Sequence, residues 1–213
     1  MTAAIVVGLA AEARIVRQLG WAVAIGGGTA RGAQVAAVSL LAQGATALVS
    51  FGLAGGLDPA LRPGALIVPA AVLAGDRSHA TDPYLSRQLG GPTDAVVLGA
   101  DAVVASVAEK RRWRERTQAS AVDLESGEVA RVAAAHGVPF AVLRAICDPA
   151  ERALPPAALA ALDARGAIGL WRVLASIAAQ PMQLPGLFAL AADAAAARRS
   201  LVSRVRQIAP ARR

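Results

Sequence analysis

Short, mostly apolar runs alternate along the chain with longer segments of mixed polarity. The apolar runs predict buried strands at residues 5–8, 21–25, 47–51, 65–73, 95–98, 121–124 and 139–146. The mixed segments predict helices at 10–18, 32–42, 102–116 and 127–136, and the chain from about residue 156 is also expected to be helical. Continuous apolar strands that alternate with helices favour an α/β fold with a mostly parallel, twisted central sheet flanked by helices. The length predicts a single domain over residues 1–213.

Other segments predict turns, loops or apolar surfaces. Residues 52–56 are rich in glycine and predict a turn, and the polar segment 76–92 predicts a loop. The uncharged run 32–57 is broken by Gln-Gly, so we expect a helix, a turn and a strand there rather than a membrane span. The apolar segment 173–192 contains two prolines, which favours two short helices that form a hydrophobic wall or touch a membrane.

The net charge of +7 raises the question of nucleic-acid binding. The basic residues form two clusters, however, and aromatic residues that could stack on bases make up only 3% of the chain, so we expect no nucleic-acid partner. The cluster at 110–116 contains opposing acids and is interpreted as a solvated helix face. The cluster at 198–213 is interpreted as a basic tail, with contact to anionic lipid as the alternative.

Cysteine and histidine are too few for a disulfide or a metal site. Cys147 is the only cysteine, and His79 and His136 lack metal-ligand spacing. The apolar start of the chain has no basic segment before it and predicts a first strand rather than a signal peptide. We therefore expect a cytoplasmic protein without a metal.

Candidate chemistry lies where the predicted strands end, at residues 8–12, 26–32, 52–56, 122–125 and 144–148. Because ligands of parallel sheets gather at the carboxyl ends of the strands, these segments are expected to meet. Asp148, if partly desolvated, could donate a proton, although it could instead cap a helix after Pro149. Glu125 could be an ordinary first-turn acid of its helix, and Glu12 an ordinary surface residue.

The glycine run at 26–32 allows three interpretations. Its backbone N–H groups could bind phosphate at Gly28 with Arg31 close by. It could also belong to a dinucleotide-dependent enzyme, although the usual glycine spacing and the later acidic residue are missing. The third interpretation is a tight turn with close helix packing.

Two motifs together resemble one enzyme family. The sequences VDLES at 122–126 and VPFAVLRAICD at 138–148 resemble the patterns V-E-M-E and V-P-F-x-x-x-R-x-x-S-D of the nucleoside phosphorylase and methylthioadenosine/S-adenosylhomocysteine nucleosidase superfamily. The sequence LAGGL at 53–57 is similar to the S-A-G-G-L of that family. The resemblance covers about residues 3–150 in the same order and implies the family's fold.

The resemblance implies a role for each acid. Asp148 would protonate or hydrogen-bond N7 of a purine, and Glu125 would hold the ribose hydroxyls. Glu12 would position the nucleophile, with Arg144 as its ionic partner. This set suits cleavage of a glycosidic bond, which needs an acid at the leaving group and negative charge near the sugar.

Apolar residues occupy several of the remaining family positions. Leu124 would pack on the sugar, Val103 would replace an aromatic residue against the base, and Gly55 would let the ligand approach the backbone. Leu53 stands where the family has Ser or Thr, which puts phosphate use in question. Cys147 replaces the family's Ser and could be a nucleophile, although no histidine lies near it in sequence.

These departures resemble the hopanoid-associated phosphorylase branch, which implies release of adenine from adenosylhopane. Hydrolysis of methylthioadenosine or S-adenosylhomocysteine is the alternative reaction, and a non-catalytic nucleotide- or lipid-binding module is the alternative from another class. No cofactor is expected, although phosphate could be a co-substrate. Self-association into a homo-oligomer is expected from the resemblance alone.

Overall fold

The computed structural model describes residues 2–161, 182 and 184–208. Its strands are β1 Ala3–Val7, β2 Ala22–Ile25, β3 Ala47–Gly56, β4 Leu66–Ile67, β5 Pro69–Ala74, β6 Arg77–Ala80, β7 Thr93–Gly99, β8 Ala121–Asp123 and β9 Phe140–Asp148. Its α-helices are α1 Ala10–Val16, α2 Ala30–Ala42, α3 Pro83–Gln88, α4 Val107–Thr117, α5 Ser126–His136, α6 Pro156–Ala161 and α7 Leu184–Ile208. A 3₁₀ turn at Arg17–Leu19 follows α1.

The strands form one mixed sheet. Its order is β2-β1-β3-β8-β7-β5-β6, and β9 pairs with β3 and with β4. The pairs β1–β2, β1–β3, β3–β9, β5–β7 and β7–β8 are parallel, whereas β3–β8, β4–β9 and β5–β6 are antiparallel. This architecture confirms the predicted α/β fold with a central sheet flanked by helices.

Helices cover both faces of the sheet, which is why its strands are apolar on both sides. In β1, Ala4 and Val6 pack with α2 and α5, whereas Ile5 and Val7 pack with α1, α3 and α7. Alternate residues of a strand point to opposite faces, so a continuous apolar run is what a doubly covered strand requires. The parallel strands β1, β2, β3 and β9 therefore have their carboxyl ends at the same edge of the sheet.

Two segments expected to be irregular are regular. Residues 52–56 continue β3 instead of turning, because Gly55 and Gly56 pair with Val122 and Ala121 of β8. Residues 76–92 contain β6 and α3, and Asp82 caps α3 by accepting a hydrogen bond from the backbone N–H of Leu85 at 2.8 Å. Glycine and polar residues suggested flexibility, but strand pairing and capping decide the structure.

Two further predicted elements have different limits. The predicted strand 65–73 is divided into β4 and β5, with β4 antiparallel to β9. The predicted helix 102–116 begins only at Val107, where Ser106 accepts a hydrogen bond from the N–H of Glu109 and closes a capping box. The capping box explains why the helix begins there.

The last helix differs from the expected pair of short helices. Leu184–Ile208 is one helix of 25 residues, and its Pro185 lies in the first turn, where no intrahelical N–H bond is lost. The remainder of the predicted apolar segment, 173–181 and 183, lies outside the described residues. In the described ranges, no helix combines the length and apolar character needed to cross a membrane.

Candidate active site

The guanidinium of Arg144 is the centre of the buried charge cluster. Arg144 lies on β9 opposite Gly52 and is 1% exposed. Its Nε lies 2.8 Å from Oδ2 of Asp123, and its Nη2 lies 3.0 Å from Oε2 of Glu125. Nη2 also donates a hydrogen bond to Oγ of Ser50 at 2.7 Å. These contacts fix the orientation of Glu125, one of the predicted substrate-binding residues.

Asp123 also organises the start of α5. Its Oδ1 accepts hydrogen bonds from the backbone N–H groups of Glu125 at 2.9 Å and Ser126 at 2.7 Å. The hydroxyl of Ser126 donates to the other oxygen, Oδ2, at 2.5 Å. Asp123 therefore joins the end of β8, the start of α5 and Arg144. The sequence analysis gave it no role in the site.

Glu12 reaches the same cluster from α1. Its Oε2 accepts from the N–H of Leu9 at 2.9 Å, and its Oε1 accepts from the N–H of Leu53 at 3.0 Å. Burial raises the pKa of Glu12, and the positive charge of Arg144 opposes that rise. Glu12 is therefore a buried member of the site, so the alternative of an ordinary surface residue is wrong.

Two glycines allow the carboxylates to approach the backbone. A Cβ at Gly8 would lie 2.5 Å from Oε1 of Glu125 and 3.3 Å from Oε2 of Glu12. A Cβ at Gly52 would lie 2.5 Å from Oε1 of Glu12 and 2.6 Å from Nη1 of Arg144. A Cβ at either position would therefore displace the carboxyl groups from this arrangement. Glu12 and Glu125 are thus brought together, as the sequence predicted.

The cluster is electrostatically unbalanced. Burial raises the pKa of Glu125 to about 7, and the negative charges of Asp123 and Glu12 add to that rise, whereas Arg144 opposes it. One guanidinium thus faces the carboxyl groups of Glu12, Asp123 and Glu125.

Asp148 lies farther along β9. The strand bulges at Cys147, because Ile146 pairs with Ala54 and Asp148 pairs with Gly55. Such bulges re-aim side chains next to functional sites. Burial raises the pKa of Asp148, and its hydrogen bond to Lys110 opposes that rise. A turn rather than a helix follows Pro149, and α6 begins only at Pro156, so Asp148 is not a helix cap.

Lys110 is the residue that the sequence analysis placed wrongly. It was expected on a solvated helix face, yet its side chain is 0% exposed and its Nζ lies 2.6 Å from Oδ2 of Asp148. Trp113 and Thr117, three and seven residues later, are half-buried on the same side of α4. This spacing of three and seven residues could have indicated that Lys110 lies on the inward side of the helix, together with Trp113 and Thr117.

The apolar residues that were predicted to contact the substrate are partly exposed. Leu53, Val103 and Leu124 are half-buried. A Cβ at Gly55 would lie 3.5 Å from Oδ2 of Asp148, which places this glycine beside the acid. Burial, the charge of Asp148 and that of Glu12 raise the pKa of the Cys147 thiol to about 12. A thiol that stays protonated is a poor nucleophile, which argues against covalent catalysis by Cys147.

The glycine run forms a tight turn at a separate surface cleft. A Cβ at Gly32 would overlap the carbonyl oxygen of Gly26, and Thr29 caps α2 by accepting from the N–H of Gly32 at 3.1 Å. Close packing therefore accounts for the run without a ligand. Arg31 is exposed and lines a cleft of about 680 Å³, and Gly28 lies at the same turn. Gly26, at the start of the run, donates to the carbonyl oxygen of Val7 at the end of β1, and phosphate binding by Gly28 and Arg31 stays a prediction.

Metal-ligating side chains do not converge in the described ranges. Within residues 2–161, 182 and 184–208, no group of three His, Cys, Asp or Glu side chains is arranged to hold a metal ion. The three carboxyl groups near Arg144 are instead oriented by that guanidinium and by backbone N–H groups.

Solved structures resemble this fold over nearly its whole length. A putative 5′-methylthioadenosine/S-adenosylhomocysteine nucleosidase from Francisella philomiragia is 18% identical, with a TM-score of 0.70 and 98% of each chain covered. A mutant of the Helicobacter pylori nucleosidase with 5′-methylthioadenosine in its active site is 18% identical, with a TM-score of 0.68 and coverage of 97% of this chain and 98% of that one. The futalosine hydrolase of Helicobacter pylori is 19% identical, with a TM-score of 0.67 and coverage of 96% and 97%.

The family itself is recognised from sequence. A search of curated protein sequences finds no match. The family model described as the phosphorylase superfamily, in contrast, matches residues 20–167, which is more than half of the chain. The match confirms the predicted enzyme class of nucleoside phosphorylases and nucleosidases. The chain belongs to the phosphorylase superfamily.

Proposed function

We propose that this protein hydrolyses the N-glycosidic bond of an adenosine derivative and releases adenine. The observation that carries the proposal is that acidic residues lie at two points along β9, one around Arg144 and the other at Asp148. Glu12 and Glu125 surround Arg144, and Asp148 lies four residues beyond Arg144 on the same strand. At ~3.3 Å per residue, the Cα atoms of Arg144 and Asp148 are at most ~13 Å apart, so both groups can contact one small ligand. Nucleosidases and a nucleoside hydrolase among the similar structures support this reaction.

The two groups suit the two halves of the reaction. The C–N bond breaks through an oxocarbenium-like state, in which the sugar becomes positive and the base negative. In this proposal, Asp148 donates a proton to N7 of the base through its unpaired oxygen. Glu12 removes a proton from the attacking water, and the rise of its pKa by burial makes it a stronger base than an exposed glutamate. Glu125 accepts hydrogen bonds from the ribose hydroxyls.

The charge of the sugar end favours water over phosphate as the nucleophile. Three carboxyl groups share the charge of Arg144 there. The N–H of Leu53, at the position where the family has a hydroxyl residue, already donates to Glu12. A phosphate anion needs free donors, and the N–H of Leu53 is already used, whereas water can itself donate a hydrogen bond to a carboxylate. Hydrolysis is therefore proposed ahead of phosphorolysis, which reverses the order expected from sequence and gives Gly28 and Arg31 no role in the reaction.

The substrate class is proposed from the apolar side chains at the positions where the resemblance places substrate contacts. Leu53, Val103 and Leu124 provide half-buried apolar surface, which suits an apolar 5′ substituent better than a charged one. Methylthioadenosine and adenosylhopane both meet this requirement, and S-adenosylhomocysteine, which carries charges on its 5′ substituent, does not. We therefore propose an adenosine with an apolar 5′ group and keep adenosylhopane as the most apolar candidate.

The test is product analysis with and without phosphate. The protein is incubated with methylthioadenosine and with adenosylhopane in ¹⁸O-labelled water, and adenine and the sugar product are measured by liquid chromatography and mass spectrometry. We expect adenine, a free sugar that carries ¹⁸O, and a rate that phosphate does not change. A sugar 1-phosphate would contradict hydrolysis, and no adenine from any adenosine derivative would favour the non-catalytic binding module.

Matched variants connect the activity to the site. Glu12→Gln and Asp148→Asn are expected to lower kcat by about 10²–10⁴-fold each, the usual contribution of a general base or acid. Glu115→Gln and Asp94→Asn make the same chemical changes at exposed positions and should leave kcat unchanged. Equal effects in both pairs would contradict the proposed roles.

We also propose that the exposed side of α7 contacts an anionic membrane. Phe188 is 74% exposed and Leu184 is 38% exposed near the start of the helix. The exposed Arg199 and Arg206 follow Phe188 by 11 and 18 residues, which places all three on one side at 3.6 residues per turn. A helix side that combines apolar and arginine residues is suited to the surface of anionic lipids.

Vesicle flotation tests this contact. We expect binding to vesicles that contain phosphatidylglycerol, loss of binding in Phe188→Ser, and no loss in Val35→Ser, which changes an exposed apolar residue on α2. Binding that fails at low salt would contradict the proposal. So would dissociation of an oligomer by Phe188→Ser in light scattering, because this surface would then be a contact between copies. Self-association itself stays a prediction.

A further inference from the structure

Lys110 and Asp148 form a buried ion pair. All three protons of the Lys110 ammonium group have an acceptor. Nζ of Lys110 lies 2.6 Å from Oδ2 of Asp148 and donates to the carbonyl oxygens of Pro149 at 2.9 Å and Arg152 at 2.7 Å. These three acceptors match the three protons of an ammonium group. A lysine is almost never fully buried unless it is paired in this way. The contact is therefore a specific feature of the site.

The pair gives the two oxygens of Asp148 different roles. An ammonium group has donors only, so Oδ2 accepts from Lys110 and any proton on the carboxyl group resides on Oδ1. Oδ1 is buried, and it has no hydrogen-bond partner within the part of the chain that the structure describes. We infer that Lys110 is a positioning residue that keeps the transferable proton of Asp148 on Oδ1, facing the leaving base, and strengthens that acid by its charge. The inference rests on the proposed role of Asp148.

The proton transfer balances without any further reactant. The O–H bond at Oδ1 of Asp148 breaks, an N–H bond forms on the base, and the electron pair of the breaking C–N bond moves into the base. Asp148 becomes a carboxylate beside the ammonium group of Lys110. Because the negative charge appears only as the proton leaves, a fixed cation stabilises the later state more than the earlier one. Lys110 thereby lowers the barrier to protonation of the base.

The alternative is that Lys110 only anchors the turn after β9. It binds the carbonyl oxygens of Pro149 and Arg152, and this contact alone would hold the turn in place. An anchoring role predicts lower stability and lower activity at every pH. A positioning role predicts a change in the pH dependence of kcat, because the pKa of Asp148 would change.

The experiment compares the kcat–pH profiles of Lys110→Met, Lys110→Gln and Arg111→Met. Asp148 must be protonated to donate, and the Lys110 charge holds its pKa below what burial alone would give. Removing that charge should therefore move the basic limb upward by about 1–3 pH units, the range for a nearby opposite charge. Plateau kcat should fall about tenfold, part of the ~10²–10⁴-fold supplied by a general acid. Arg111→Met, on an exposed residue of the same helix, should change neither.

Lys110→Gln keeps an amide donor for the carbonyl oxygens if Lys110→Met does not fold. A double-mutant cycle adds a second criterion, because Lys110→Gln should have no further effect on kcat once Asp148→Asn has removed the acid. An unmoved basic limb, or an equal loss of kcat in both backgrounds, overturns the inference while adenine release by the wild type leaves the proposed function standing. A wild type that releases no adenine overturns the proposed function and, with it, this inference.

Discussion

Glu125 should make the protein less stable as the pH rises. Burial, with the nearby charges of Asp123 and Glu12, raises its pKa from 4.5 to about 7 in the folded protein. Between these two values, Glu125 is protonated in the folded state and ionised in the unfolded state. The folded state then binds more protons, so stability is complete below about pH 4.5 and falls as the pH rises through 7.

The size of the effect follows from the same values. At about 1.36 kcal/mol per pH unit, a pKa raised from 4.5 to about 7 corresponds to a loss of ~3 kcal/mol across this range. Glutamine at this position cannot ionise. The wild type should therefore lose ~3 kcal/mol more unfolding free energy than Glu125→Gln between pH 4.5 and 8. Asp148 is present in both proteins and is not among the groups that interact with Glu125, so its own pH dependence cancels to first order.

The assay is urea unfolding followed by tryptophan fluorescence at several pH values. The quantity to compare is the change in unfolding free energy with pH, because the absolute stability of the variant also includes altered hydrogen bonding to Arg144. Glu115→Gln, at an exposed position, is the control and should retain the wild-type pH dependence. Parallel curves for wild type and Glu125→Gln would refute the argument, since the carboxyl group would then ionise at its ordinary pKa.

Three further predictions test the packing and the charges. Arg144→Met should lower the unfolding free energy at pH 8 by about 3–5 kcal/mol, as for other broken buried pairs, and by less at pH 5, where the carboxyl groups can take up protons; an equal loss at both values would contradict this. Gly52→Ala should lower the unfolding free energy by about 1–3 kcal/mol and reduce kcat, because its Cβ would lie 2.5 Å from Glu12; wild-type midpoint and kcat would contradict the required close approach. Cys147, with its pKa raised to about 12, should react with iodoacetamide at pH 8 only after urea unfolding; rapid labelling of the native protein would contradict its burial.

The pattern of apolar residues predicted the strands that are apolar enough to be buried on both faces. The continuous apolar run near the start of the chain had to be covered on both faces, and β1 is covered in this way. Residues 52–56 and 77–80 could not be predicted, because their small or polar residues do not favour strands on their own. Their partners, β8 and β5, supply the pairing. For residues 52–56 the partner β8 is distant in sequence, so no local pattern predicts that these residues form a strand.

The acids of the site could be predicted, because they lie in sequence motifs. Their partner Lys110 could not, because only the fold brings it to the site. Glu12, Glu125 and Asp148 were predicted to converge. Glu12 and Glu125 lie together beside Gly8, and Asp148 lies four residues beyond Arg144 on β9. Lys110 could not be found by its own charge, because a lysine among arginines on a polar helix suggests solvent exposure. Only its position on the inward side of α4, and an acid placed opposite by β9, make its burial possible. The pairing is thus a tertiary property.

The two ends of the proposed site have opposite electrostatic character, and this agrees with the direction of bond cleavage. Around Arg144, three carboxyl groups leave an excess of negative charge, which would stabilise a sugar that becomes positive. Beside Asp148, the ammonium group of Lys110 would stabilise negative charge that moves onto the acid as the base departs. A phosphorolytic site would need added positive charge at the sugar end to hold its anion. The described residues place the ammonium group of Lys110 at the other end, paired with Asp148, which agrees with the proposed hydrolysis.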